Sequence, residues 1–522
     1  MVEPARDLLT LVRGAAERCR GTPWLVAQDG TWTLAAFAAE VEREAAGWRD
    51  AGLQPGDRVV VLLPRSGQEV RVLLAVAAAG GVVVPLHAKL KDDQVGHVLA
   101  DCEPFAVVTE PSRLLALQDP VRTLHGQRVF GPAGGTWPVP AAPLPQPSGG
   151  HAAALPLPDP QRGAMLLYTS GSTGRAKGIV QSHHNLCLGA ALVAGYLGLD
   201  SDDHVLALLP FSFDYGWNQL LTALHTGCRI TAADPLGGGE LAQLLRTHRP
   251  TGLAGVPAMW HEVGSALAHG TLTAADGRSL RYVTNSGGAL RPSDAMVLRQ
   301  HWPHVQVFAM YGLTEAFRSA FLPPAEFDAH PESFGRALPG VELLLVGGDG
   351  EVLEGPATGE LVHAGALVAL GYWRRPDDDA LRFRQDPRGL PGRVVYSGDV
   401  VRRDEHGLHY FVGRRDRLLK VQGHRVSPDE VALAVAGMPG VGEVAVFGVD
   451  GGAAGHRIVL CCTGGPDQAE LRAAIQRRCR RHLPSYMQPA VVVVLAELPH
   501  NPNGKVDEAA LRQRVRACTD AT

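Results

Sequence analysis

From about residue 30 to residue 250, short apolar runs such as RVVVLL from Arg58 and GVVVP from Gly81 alternate with Ala/Leu/Glu stretches of helical period. Unbroken apolar runs bounded by turn residues read as buried strands, and a 3.6-residue period reads as helix. Their alternation predicts layered α/β structure. The longest apolar run, residues 72–86, contains Gly80, Gly81 and Pro85 and reads as a buried helix followed by a strand, too short and too interrupted for a membrane span. A Pro/Gly-rich connector over residues 138–160 separates a first unit from a second. Residues 340–415 alternate short strands with many turns and predict a small β-rich subdomain. Beyond it, VGEVAVFGV, RIVLCC and AVVVVLAEL read as strands, and DEVALAVAG and QAELRAAIQRRCRRHL as helices. The expected architecture is an α/β core over residues 1–415 with a small α+β domain over 416–522.

Composition narrows the function. A chain of 522 residues exceeds what one hydrophobic core usually holds. A net charge of -4 gives no global attraction to a polyanion, so nucleic acid is not an expected partner, and nothing points to a membrane. The eight cysteines form no C-x-x-C pair, which argues against a zinc site or disulfide scaffold and for reduced thiols in the cytoplasm. The N-terminal segment lacks the apolar stretch of a signal peptide. Lysine is scarce: only Lys89, Lys91, Lys177, Lys420 and Lys505 stand among 49 basic residues, so each is a candidate for a task that needs a compact ammonium.

Residues 168–178 read YTSGSTGRAKG. Tandem small residues expose backbone N–H groups that can converge on an anion, and Thr169, Ser170, Ser172, Thr173 and Lys177 add hydroxyls and a charge beside Gly171 and Gly174. The register is wrong for a Walker A loop, because Ala176 stands for its second glycine and Gly178 for its Ser/Thr. A plain surface linker fits poorly, since the apolar strand AMLLY runs straight into the loop.

With His183 and Asn185 following, this loop resembles the signature of the adenylate-forming superfamily, which holds acyl- and aryl-CoA synthetases, luciferases and peptide-synthetase adenylation domains. Ala176 departs from the family's usual proline. The resemblance continues in order to the C-terminus. Ser286, Gly287, Gly288 and Ala289 match the adenine and substrate turn. Tyr311, Gly312, Thr314 and Glu315 match Y-G-x-T-E, which implies adenine stacking, an α-phosphate contact from Thr314 and a Mg²⁺ ligand in Glu315. Asp399 and Arg414 match the ribose-binding pair, Asp416 the hinge, Gly423 the thiol tunnel and Lys505 the catalytic lysine. Each residue alone has a bland reading as core aromatic, turn or solvated tail; the ordered set does not.

The resemblance implies ATP and Mg²⁺ as cofactors and a carboxylic acid as substrate. In LPFSFDYGW, Phe213 and Asp214 align with an F-D pair whose Asp meets a substrate ammonium, and a buried carboxylate calls for such a cation. A helix-capping Asp is the alternative. The same segments resemble stand-alone amino-acid ligases of macrolactam pathways, many selective for β-amino acids, and equally a group of bacterial acyl-CoA ligases. Trp217 and Phe317 are expected either to shorten the acid pocket or to pack the core; Arg318 reads either as a supporting charge or as a partner for a substrate carboxylate. No carrier domain is recognised in the chain, so the expected acceptor is a separate acyl carrier protein or CoA. The arginines at 477, 478, 480 and 481 form either a docking face for an acidic carrier or a solvated helix face. A nucleotide-binding module without catalysis is the distant alternative.

Overall fold

The computed structural model describes residues 3–18, 21–147, 155–169, 176–235, 237–417, 419–421, 424–450, 456–465, 467–502 and 504–519. The apolar runs become interior strands. Arg58–Leu62 pairs in parallel with Val82–Pro85 on one side and Ala106–Thr109 on the other. Covered on both faces, such strands need no polar alternation. The 72–86 run divides as its glycines indicate: the helix Gly67–Ala78, capped by Ser66 accepting the Glu69 N–H, then the strand Val82–Pro85.

The connector over 138–160 does not divide two units. Val83 pairs with Met165, so the hairpin Gly163–Thr169/Lys177–Ser182 completes the same eight-stranded sheet as the first strands. The physical reason is the open edge of Val82–Pro85. A buried strand cannot leave its backbone groups unpaired, and the hairpin supplies the partner.

A second sheet carries the parallel strands Arg229–Ala232, His204–Ala207, Gly252–Gly255, Tyr282–Asn285 and Gln306–Tyr311. It continues through the antiparallel Ala320–Leu322 and Ser333–Ala337 into the β-rich section, whose long strands are Ala357–Gly365 and Arg393–Arg403. In such sheets ligands bind beyond the carboxyl ends of the strands. The segments leaving those ends here are 208–214, 286–291 and 312–318.

Residues beyond Pro428 build a three-stranded sheet of Val441–Asp450, His456–Gly464 and Val491–Leu495, flanked by the helices Pro428–Val435 and Gln468–His482. Residues from Leu419 onward form two apolar clusters, one around Ile475 and one around Leu511. Among the described residues no helix is long and apolar enough to cross a membrane, and Cys102, Cys187, Cys228, Cys461, Cys462 and Cys479 are all buried.

Candidate active site

A cleft of about 1210 Å³ opens where the strand ends of the second sheet, the phosphate-loop hairpin and the C-terminal unit meet. Its acid end starts at Asp214. This residue is the first of the helix Asp214–Thr226 and is 7% exposed. One carboxylate oxygen accepts the Tyr215 N–H at 2.7 Å and the other accepts the Thr314 hydroxyl at 3.1 Å. The helix N-terminus favours an anion there. Burial nevertheless dominates and raises the Asp214 pKa, opposed by Arg318, the Thr314 hydrogen bond, Lys505 and the Tyr215 N–H. Asp214 therefore sits in the first turn of its helix, whose N-cap is Phe213 without a side-chain cap, and faces the cleft.

Opposite stands the turn after Tyr282–Asn285. Asn285 Nδ2 donates to the Gly288 carbonyl at 2.8 Å and fixes the turn, while Gly287 takes a φ of +83° that an L side chain would strain. Lys505 arrives here from the C-terminal unit. Its Cε would lie 3.7 Å from a Cβ at Gly287, and a Cβ at the neighbouring Gly504 would lie 3.3 Å from Val256. The backbone around Lys505 is a tight turn: Asn501 N donates to the Lys505 carbonyl at 2.7 Å, and Lys505 N to Asn501 Oδ1 at 3.0 Å.

The other end gathers the nucleotide candidates. The Tyr311 ring stacks on Phe334, with centroids 4.5 Å apart, and on His363 at 5.8 Å. Its hydroxyl donates to Asp399, which also pairs with Arg414 at 3.3 Å across adjacent strands. Burial pushes His363 down to about 3, so the imidazole under Tyr311 is neutral. Glu315, in the single turn Thr314–Ala316, accepts the Tyr372 hydroxyl at 2.6 Å. Lys177, the first residue of its strand, pairs with Asp378.

A group of three or more His, Cys, Asp or Glu side chains able to cage a metal is absent among the described residues. A single carboxylate ligand suits Mg²⁺, which keeps waters and takes phosphate oxygens for most of its shell. Glu315 fits that demand.

Of the residues singled out in the sequence, Thr169, Lys177, Phe213, Asp214, Ser286, Gly287, Gly288, Ala289, Tyr311, Gly312, Thr314, Glu315, Arg318, Asp399, Arg414 and Lys505 all line the one cleft. Trp217 and Phe317 do not shorten the pocket. Both are fully buried in the largest apolar cluster, away from the cleft lining. Trp217 lies on the core face of its helix. Phe317, at a φ of +52°, turns its ring onto the helix His183–Leu197, where a Cβ at Gly189 would stand 2.3 Å from it. Ser170, Gly171, Ser172, Thr173, Gly174 and Gly423 lie outside the described residues. Asp416 sits in the 3₁₀ turn Arg415–Arg417 between the units. Sequence reasoning missed Tyr372, Asp378 and Glu360. The last holds the Gly398 N–H before Asp399 and pairs with Arg415.

Residues 12–373 match the AMP-binding enzyme family and residues 430–505 the AMP-binding enzyme C-terminal domain. The chain is 32% identical, over 96% of its length and 95% of the relative's, to the L-proline--[L-prolyl-carrier protein] ligase of Streptomyces coelicolor. It is 29% identical over 89% of its length to the delta-poly-L-ornithine synthetase of Acinetobacter baumannii, of which it spans 33%. The ATP-bound crystal structure of MatB from Rhodopseudomonas palustris superposes with a TM-score of 0.84 at 25% identity, covering 98% of this chain and 99% of that one.

Proposed function

Since the chain belongs to the AMP-binding enzyme family, whose members include ATP-using ligases, we propose that it joins an amino acid, small or β-amino in character, to AMP. It then passes the aminoacyl group to the phosphopantetheine thiol of a separate carrier protein. The observation that carries this reading is the meeting of Lys505, from the C-terminal unit, with the Gly287 turn beside buried Asp214. A carboxylate and an α-phosphate repel each other, and an ammonium between them lowers the barrier to attack. The carboxylate oxygen bonds to the α-phosphorus as the bond to pyrophosphate breaks. The thiol sulfur then bonds to the acyl carbon as AMP leaves.

In this scheme Asp214 holds the substrate ammonium, Thr314 reaches the α-phosphate, and Lys177 and the loop before it hold the outer phosphates. Tyr311 stacks against adenine, with Asp399 and Arg414 on the ribose. Mg²⁺ on Glu315 would neutralise polyphosphate charge when bound. We place the domain boundary at Asp416 and the reaction in the cytoplasm. A carrier as acceptor draws support from the 32% identical relative, which by its name acts on L-proline and a prolyl-carrier protein.

The test is ATP–pyrophosphate exchange against a panel of α-amino, β-amino and fatty acids, followed by thioester formation with a phosphopantetheinylated carrier or with CoA. Exchange driven by amino acids and transfer to the carrier are expected. Exchange with no acid would overturn the ligase reading, exchange with fatty acids alone would move the substrate, and transfer to CoA alone would move the acceptor.

A further inference from the structure

Arg318 is a cation the scheme leaves unused. It is 2% exposed and lines the acid end of the cleft. One guanidinium nitrogen donates to the Ser286 hydroxyl at 3.0 Å, and the planar group lies over the Tyr215 ring, 4.9 Å from its centroid. Nε is buried without a partner, and among the described residues no carboxylate lies within 4 Å of the guanidinium. A buried cation in that state is costly unless a ligand completes it. The fixed fork of a guanidinium matches a carboxylate in two-pronged fashion.

Its position separates it from the reacting carboxylate. Lys505 stands over Gly287, in the turn after one strand. Arg318 stands over Gly312, in the turn after the next strand, with Nη1 3.4 Å from a Cβ placed there. Asp214 feels both cations. The acid end therefore presents one anion and two cations, on different turns. An amino acid with a neutral side chain brings one cation and one anion and leaves the buried Arg318 Nε without a partner. An amino dicarboxylic acid brings one ammonium and two carboxylates, the complement group for group.

We propose that the substrate is an amino dicarboxylic acid of the aspartate class, its ammonium on Asp214, its reacting carboxylate toward Lys505 and its second carboxylate on Arg318. This rests on the ligase reading above and sharpens its substrate. Gly312 has a part in it: with no side chain there, the guanidinium reaches the cleft over bare backbone.

The test is ATP–pyrophosphate exchange with L-aspartate and L-glutamate against asparagine, glutamine, β-alanine, L-proline and L-valine, in wild type and in Arg318→Met. The wild type is expected to favour a dicarboxylic acid over its own amide at least about 100-fold in kcat/KM, as a site built around a buried charge does. In Arg318→Met that ratio is expected to fall toward one, chiefly through KM. If the variant does not fold, competition between aspartate and asparagine on the wild type decides alone. Stronger exchange with β-alanine, L-proline, L-valine or either amide than with any dicarboxylic acid overturns this proposal while leaving the ligase reading in place. Exchange with no acid removes both.

Discussion

At the scale of single residues, charge and burial assign the chemistry. Lys505 reaches the cleft from a different unit than Asp214, so its removal should spare the acid subsite and remove one positioned charge. Lys505→Ala is expected to lower the adenylate-forming half-reaction by about 10²–10³. Transfer from preformed aminoacyl-adenylate to the carrier should stay near its wild-type rate. Pyrophosphate exchange and single-turnover transfer separate the two, and equal losses in both would contradict the assignment. Lys505 stood out before any fold was known because lysine is rare in this chain and because its Asn-Gly-Lys stretch resembles the family's catalytic-lysine motif. Asp214 was legible as a carboxylate in an otherwise aromatic stretch. Tyr372 was not. Its hydroxyl reaches Glu315 only because Gly371–Tyr372 pairs with the far edge of the hairpin strand at Ile179 and Val180, a contact that local sequence does not encode. Asp378, 201 positions from its partner Lys177, was hidden for the same reason.

At the scale of elements, the apolar pattern predicted strands well and helix faces less well. Strands buried on both sides announce themselves by composition alone, as Val59, Val60 and Val61 do. Which face of the helix Asp214–Thr226 meets the cleft depends on how closely it approaches the chain before it, and that distance is set by a glycine. A Cβ at Gly216 would lie 2.1 Å from the Pro210 carbonyl oxygen and 2.7 Å from that of Leu209. Only a bare α-carbon lets the first turn seat there and aim Asp214 into the cleft, with Trp217 against the core. Gly216→Ala is expected to destabilise the protein by about 1–3 kcal/mol through this overpacking. It should also raise KM for the amino acid more than for ATP. Gly96→Ala is the control: in the middle of the helix Asp92–Cys102 its Cβ meets nothing within 4 Å, so the melting temperature should rise. Melting curves of the two variants in opposite directions would bear out the seating argument; a shared direction would refute it.

At the scale of the whole molecule, the two half-reactions place conflicting demands on one cleft. On the proposed function, the thiol must reach the acyl carbonyl in a cleft where Lys505 stands over Gly287 and Gly504 lies against Val256. The C-terminal unit is tied to the core close to Asp416. Arg415 pairs with Glu360 of the core, whereas Arg417, two residues on, pairs with Glu508 and Asp429 of the C-terminal unit. Between these allegiances lies a single 3₁₀ turn, the place where a change of backbone dihedrals would turn one unit against the other with least loss of contacts. Proline holds φ near −65°, so Asp416→Pro fixes a dihedral about which the units would turn and opposes rotation. Pyrophosphate exchange, which uses the arrangement with Lys505 in the cleft, should persist within a few-fold of wild type. Where rotation is obligatory for transfer, thioester formation on the carrier should fall by at least about 100-fold. Rapid-quench measurement of adenylate and thioester in one turnover reads both, and accumulation of unreacted aminoacyl-adenylate is the expected signature. A variant that transfers as fast as it adenylates would show that the thiol enters with the C-terminal unit where it now stands, and that Asp416 is a linker rather than a pivot.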